Sequence, residues 1–147
     1  MVLATENSAE LFPALVALCN QFRVEGRVDC HVTLGEAHTH FDADLADVLY
    51  RTVRELLTNV RQHARATRVA VSSARARDGS ILLTVADNGV GFPAHWRRSN
   101  PFAADSGVGL WSIDQRLREF DAYLDIHSTH QGSRVTVVLP ATLLASD

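Results

Sequence analysis

The chain has 14 basic residues, all arginine, and no lysine. That absence excludes a Walker A Gly-Lys-Ser/Thr, the strand lysine of eukaryote-type protein kinases and Schiff-base chemistry, each of which needs an ε-amine. Any phosphate site here must use another cradle. Cysteine is scarce as well. Cys19 and Cys30 are too few for a disulfide framework and are not spaced as Cys-x-x-Cys, so they are expected as small core residues in a reducing compartment. No apolar run reaches the roughly 18 residues that span a bilayer, and Met1-Val2-Leu3-Ala4-Thr5-Glu6 lacks a basic region followed by an apolar stretch. A cytoplasmic domain without direct membrane insertion is expected. A net charge of −3 and a pI near 6.1 give no whole-molecule basic field, so nucleic acid is not expected as a partner.

The 147 residues, 46% of them apolar, suffice for one domain with a real core, expected to span 1–147 with its core at about 10–140. Leu11, Leu15, Leu18 and Phe22 recur at helical spacing, Pro13 suits a first turn and Gly26 a helix end, which predicts a helix near 12–24. Val28, Cys30, Val32 and Leu34 then alternate with polar residues as in a half-buried strand. After a loop over 35–41, Asp42 can cap a long helix to about Ala64, with Leu45, Val48, Leu49, Val53, Leu56 and Val60 as its buried stripe. Val69 and Val71 begin a strand, Arg77-Asp78-Gly79 makes a turn, and a second strand runs from Ile81 into Asp87, forming a hairpin. Residues 93–106 have no apolar period and the length of a mobile lid. A helix over 107–120 and strands over 123–128 and 134–139 complete the order. Three helices and about five strands fit a two-layer α/β sandwich, with the helices on one face of a mixed sheet.

Glu55 and Asn59 lie four residues apart on the long helix, so they project from one face among Leu56, Leu57 and Val60. An unpaired polar group is costly in such surroundings, so a polar partner is expected. The loops Asp87-Asn88-Gly89-Val90-Gly91-Phe92 and Gly107-Val108-Gly109-Leu110 can offer backbone N–H groups to a polyanion, because glycine permits close backbone approach. Together they point to a nucleotide site. Taken singly each is weak: Glu55 and Asn59 also suit a solvated helix face, Asp87-Asn88-Gly89 a plain turn, His63 a helix surface and Thr136 an ordinary strand position. Cys30, His31, His38 and His40 match no common zinc spacing, and Cys30 and His31 face opposite ways if that segment is a strand. Trp96-Arg97-Arg98 reads as a solvated loop or as a cover over a bound ligand, and Trp111 as core packing in preference to a partner surface.

In order, spacing and wording these motifs resemble the ATP-binding catalytic domain of bacterial sensor histidine kinases, nearest to the nitrate-sensor type. That family belongs to the ATPase superfamily shared with gyrase, the heat-shock chaperone and the mismatch-repair ATPase. The resemblance rests on Arg54-Glu55-Leu56-Leu57-Thr58-Asn59-Val60-Arg61-Gln62-His63-Ala64, on the two glycine loops, and on Gly132-Ser133-Arg134-Val135-Thr136-Val137-Val138-Leu139-Pro140. It implies the Bergerat ATP-binding fold. It also implies that Asn59 coordinates Mg²⁺ through its side-chain oxygen and that Glu55 is the base near the γ-phosphate. Asp87 would accept a hydrogen bond from the adenine amino group, distinguishing ATP from GTP. Gly89 and Gly91 would turn the chain beside the base, and Gly107, Val108, Gly109 and Leu110 would form the phosphate cradle at a helix start. Thr136 would assist Asp87 through water, and His63 would face the phosphates or the lid.

Two positions depart from the pattern. Gln62 stands where the family often has a basic residue, and Asp121 where it often has glycine. The residues following the seven histidines are Val32, Thr39, Phe41, Ala64, Trp96, Ser128 and Gln131, none acidic. A phosphoacceptor histidine of the family type is therefore expected on a separate dimerisation segment, with a response regulator downstream. On this reading the isolated domain is monomeric, turns over little ATP, and is either an excised part of a sensor kinase or a stand-alone relative. Two alternatives share the sequence: a stand-alone serine/threonine kinase of the anti-sigma-factor type, and a non-catalytic module whose lid responds to ATP.

Overall fold

Apolar residues at helical spacing organise the first element. The computed structural model describes residues 11–26, 28–35, 41–91 and 110–140, without the side chains of His63, Ala64 and Trp111. Helix α1, Leu11–Glu25, buries Leu11, Phe12, Leu15, Cys19 and Phe22. Pro13 occupies its first turn, where a missing N–H costs nothing. The Gly26 N–H closes the last turn on the Phe22 carbonyl at 3.0 Å. Strand β1, Asp29–Leu34, buries Cys30 and exposes His31, which pairs with Asp29 at 2.9 Å. Cys19 and Cys30 are both buried and hydrogen-bonded to each other. That bond, with burial, pushes the Cys19 thiol well up, so it stays protonated and packs as a small core residue. His38 and His40 lie outside the described residues.

Helix α2, Ala43–Asn59, starts at Asp42, whose Oδ2 accepts the Asp44 N–H at 3.1 Å. Leu45, Val48, Leu49, Val53, Leu56 and Val60 are all buried, each fully buried apolar side chain contributing about 1.5–3 kcal/mol. The expected helix to Ala64 is α-helical only to Asn59; Val60–Ala64 is a π turn. The Val60 N–H is shared between the Leu56 and Leu57 carbonyls, and Arg65 follows at φ 54°. The widened turn and the left-handed residue bring the chain to the next strand within three residues. Apolar periodicity carries no trace of that requirement, which depends on where the strand lies.

Strands β2, Arg68–Arg75, and β3, Ile81–Asp87, pair antiparallel as expected. In their turn Gly79 has φ 91°, and Asp78 Oδ1 accepts from the Ser80 hydroxyl at 2.6 Å and the Ser80 N–H at 3.0 Å. These bonds lower the Asp78 carboxyl below its ordinary range. Helix α3, Leu110–Arg118, leads to β4, Tyr123–Thr129, and β5, Gly132–Leu139. The sheet order is β1-β2-β3-β5-β4, with β1 parallel to β2 and the remaining pairs antiparallel. Val69, Val71, Leu83, Val85, Val135 and Val137 form its buried face under the helices. Among the described residues, three helices on one face of a mixed five-stranded sheet make the expected two-layer α/β sandwich.

Asp114, 3% exposed, joins α3 to β4 by accepting Arg118 Nε at 2.6 Å and the Leu124 N–H at 3.3 Å. Beyond α3 the chain turns through Asp121 at φ 63°, a left-handed conformation that glycine adopts without the Cβ penalty. Asp121→Gly is expected to stabilise the domain by about 0.5–1 kcal/mol, the residual cost of a tolerated non-glycine residue there. Thermal unfolding should show a Tm higher by about 2–5 °C; a lower Tm would contradict the reading.

Candidate functional site

Topology brings the polar motif residues to one end of the sheet. The carboxyl end of α2, with Asn59, passes through the π turn and residues 65–67 into the start of β2, where Val69 pairs with Asp87 at the end of β3. The β4–β5 turn closes at the same end, since Ser133 pairs with Asp87. Helix α3 ends close before the far end of β4, so its amino end at Leu110 points back toward Asp87.

Asp87 is held there by two hydrogen bonds. Its Oδ1 accepts the Gly89 N–H at 2.8 Å and its Oδ2 the Ser133 hydroxyl at 2.5 Å. An ionised carboxylate has about four acceptor sites, so each oxygen keeps capacity for a further donor. Asn88 anchors the following turn: its Oδ1 accepts the Thr67 and Arg68 N–H groups at 3.0 and 2.9 Å, and its Nδ2 donates to Thr67 Oγ1 at 2.9 Å. The segment is thus an Asx-type turn at a sheet end, braced against the entry to β2, rather than a hairpin tip. Gly89 is buried. Gly91 has φ 80°, and a Cβ there would stand 2.0 Å from the Thr129 carbonyl oxygen. Only glycine lets this loop lie against the β4–β5 turn.

Asn59 is 7% exposed on the last α-turn of α2. Glu55, half-buried one turn earlier, has no hydrogen-bond or ion-pair partner among the described residues and lines a cleft of about 270 Å³ between α2 and α3. His63 lies in the π turn, and Leu110 is fully buried in the core. Arg61 turns toward α1, 3.6 Å from Glu25 and stacked 4.7 Å from the Phe22 ring centroid, while Gln62 is exposed. Gly107, Val108 and Gly109, residues 93–106 with Trp96, Arg97 and Arg98, and the Trp111 side chain lie outside what is described.

Thr136 is not brought to Asp87. It bonds Thr84 across the β3–β5 ladder at 3.2 Å, on the sheet face away from the helices and three residue pairs from Asp87. Side chains alternate along a strand, so Asp87 shares its face with Leu83 and Val85, whereas Thr84 takes the other. Ser133 is the residue that sequence reasoning missed. Its signal was present: Ser133 has the same parity as the apolar Val135, Val137 and Leu139.

A Mg-nucleotide fits this arrangement by its donor set. Asp87 keeps acceptor capacity for an exocyclic amine, and Asn59 offers an amide oxygen, a hard donor to an ion otherwise held largely by phosphates and water. The model of the histidine kinase-, DNA gyrase B-, and HSP90-like ATPase family matches residues 44–143. The chain belongs to that family. Within it, this is an ATP-binding domain of the sensor histidine kinase type. It is 30% identical over 130 residues to the sensor histidine kinase MctS of Rhizobium johnstonii, covering 88% of this chain and 27% of MctS. To the sensor protein NarQ homolog of Haemophilus influenzae it is 34% identical over 92 residues, 62% of this chain and 15% of the homolog. The ATPase domain thus spans about a quarter or less of these relatives. The histidine kinase AdeS of Acinetobacter baumannii has the same fold, with a TM-score of 0.71 at 14% identity over 88% of this chain and 64% of that one. No helix among the described residues is long and apolar enough to cross a membrane.

Proposed function

We propose that this domain binds Mg-ATP and presents the γ-phosphate to a histidine on a separate dimerisation and phosphoacceptor segment, as one step of two-component signal transduction that ends on a response regulator. The observation that carries the reading is the Asp87 carboxylate, fixed by Gly89 and Ser133 at the sheet end that α2 reaches with Asn59. Asp87 accepts the adenine 6-amino group; guanine presents an oxygen at that position, and two acceptors face to face repel. Ser133 takes the supporting role expected of Thr136, since its hydroxyl holds one carboxylate oxygen in place. Gly89 and Gly91 keep the loop flat beside the base.

Asn59 would hold Mg²⁺ through its side-chain oxygen, and the ion, when bound, would supply positive charge against the phosphates. Gly107 and Gly109 supply N–H groups to the phosphates at the start of α3, where the helix dipole favours an anion. Glu55 takes a proton from, or orients, the attacking imidazole, and in its absence a water, so the isolated domain hydrolyses ATP feebly. His63, on the π turn after Asn59, is assigned to the phosphates or to the lid.

Isothermal calorimetry tests the nucleotide step directly. Mg-ATP is expected to bind with a Kd below the millimolar range, and Mg-GTP at least about 100-fold more weakly, because a charge-assisted bond to the half-buried Asp87 carboxylate is replaced by two acceptors face to face. Absence of Mg-ATP binding at millimolar concentration would end the reading. The phosphoryl acceptor is tested by the chemistry of the product: phosphohistidine is lost in acid and survives base, whereas phosphoserine survives acid. An acid-stable product would favour a serine/threonine kinase instead.

A further inference from the structure

Cys19 of α1 and Cys30 of β1 are the two cysteines of the chain, and no step of the proposed function uses them. Each is 1% exposed. Arg23 stands one turn beyond Cys19 on the same side of α1 and donates Nη1 to the Cys30 carbonyl at 3.3 Å. That turn of the helix therefore lies directly against Cys30, and the two thiols meet there in a hydrogen bond. Core packing accounts for a buried cysteine. It does not require two of them, on different elements, to be placed sulfur to sulfur.

The pair is asymmetric. The hydrogen bond from Cys19 holds the Cys30 thiol below its ordinary value; burial opposes that effect and the Arg23 guanidinium adds to it. Cys30 is thus the sulfur that reaches the thiolate, the nucleophilic form, and Cys19 is the resolving sulfur held beside it as a thiol. Access needs little disruption. Strand β1 is at the edge of the described sheet and pairs with β2 alone, so a local opening between α1 and β1 admits a molecule as small as a peroxide while the sheet stays intact.

We propose that Cys19 and Cys30 form a peroxide-responsive dithiol, which closes to a disulfide between α1 and β1 and reopens with a thiol reductant. The Cys30 thiolate attacks one peroxide oxygen: an S–O bond forms, the O–O bond breaks, and the leaving hydroxide takes a proton from solvent. The Cys19 sulfur then attacks the Cys30 sulfur: the S–S bond forms, the S–O bond breaks, and the departing hydroxide leaves as water with the Cys19 proton. Two electrons pass from the sulfurs to the peroxide, so two thiols and one hydrogen peroxide become one disulfide and two waters. In a reducing compartment such a bond is transient, as in redox sensing, rather than a permanent staple.

The test uses the whole folded chain and hydrogen peroxide alone. Trypsin cuts after Arg23, Arg27 and Arg51, so Cys19 and Cys30 fall in separate peptides, 1–23 and 28–51, that only a disulfide holds together. After alkylation of the remaining thiols, mass spectrometry should find these peptides joined, two hydrogens lighter than their sum, in a monomeric chain, and dithiothreitol should restore both thiols. Cys19→Ala removes the hydrogen-bond donor and should slow the loss of the Cys30 thiol, while Cys30→Ala should leave Cys19 a thiol under the same exposure. Separate peptides carrying thiols or sulfinic acids, a link between two chains, or a joined pair that forms only in denaturant would each overturn the proposal. So would Cys30 oxidation as fast in Cys19→Ala as in the parent chain. The peptide map of the parent chain decides the matter even where a variant fails to fold.

Discussion

Asp87→Asn is expected to raise the Kd for Mg-ATP by at least about 100-fold while leaving the domain folded. The carboxylate accepts the Gly89 N–H and the Ser133 hydroxyl, and keeps one lone-pair direction for the adenine amine. Asparagine carries no charge and only one acceptor oxygen, so it accepts the Gly89 N–H and the base only as a neutral group, and its amide takes one of the two acceptor positions, setting a donor against the Ser133 hydroxyl or the adenine amine. Loss of one charge-assisted bond costs about 1.5–3 kcal/mol, and the unpaired buried groups add to it; 2.7 kcal/mol already amounts to about 100-fold. Ser133→Ala, which frees Oδ2 without changing the carboxylate, should weaken binding by about tenfold at most. Calorimetry on both variants, with circular dichroism as a folding check, decides the matter. Unchanged affinity in Asp87→Asn would remove this residue from the site.

The second large effect concerns transfer rather than binding. Glu55→Gln keeps the shape of the side chain and removes its basicity. It is expected to leave Mg-ATP affinity within about twofold and to lower phosphotransfer to an acceptor histidine by about 10²–10⁴-fold, the usual contribution of a positioned general base. Glu55 has no partner among the described residues whose loss would disturb α2, so the variant isolates the chemistry. Single-turnover labelling with radioactive ATP measures the rate. An undiminished rate would leave Glu55 as a wall of the cleft with no part in the chemistry, and would favour a module that responds to ATP by docking alone.

Some of this site was legible before any coordinates because it rests on short-range periodicity. Glu55 and Asn59 share a helix face at any i, i+4 spacing, and Asp87 follows an alternating strand whose end is marked by Asn88 and Gly89. Ser133 and Thr136 show where that kind of reading stops. Both are hydroxyl residues on one strand near the motif, and only the β3–β5 register sets Ser133 opposite Asp87 and Thr136 opposite Thr84. Parity along β5 favoured Ser133, but the strand that supplies its partner lies 46 residues away in the chain. Arg61 gives a similar lesson, since its neighbours in sequence suggest a site residue, whereas Glu25 and Phe22 of α1 hold it elsewhere.

By itself, then, the sequence determined the order and type of the elements, the absence of any lysine-based phosphate chemistry, and the polar couple on α2. Those features follow from local geometry, residue chemistry and the 3.6- and 2-residue periods. Tertiary structure alone decided the π turn that ends α2, the hydroxyl that supports Asp87, and the joining of Arg51 and Arg54 with Arg116 around one cleft. Each of these is set by how distant segments meet, and a pattern read along a single chain carries no information on which distant surfaces face one another.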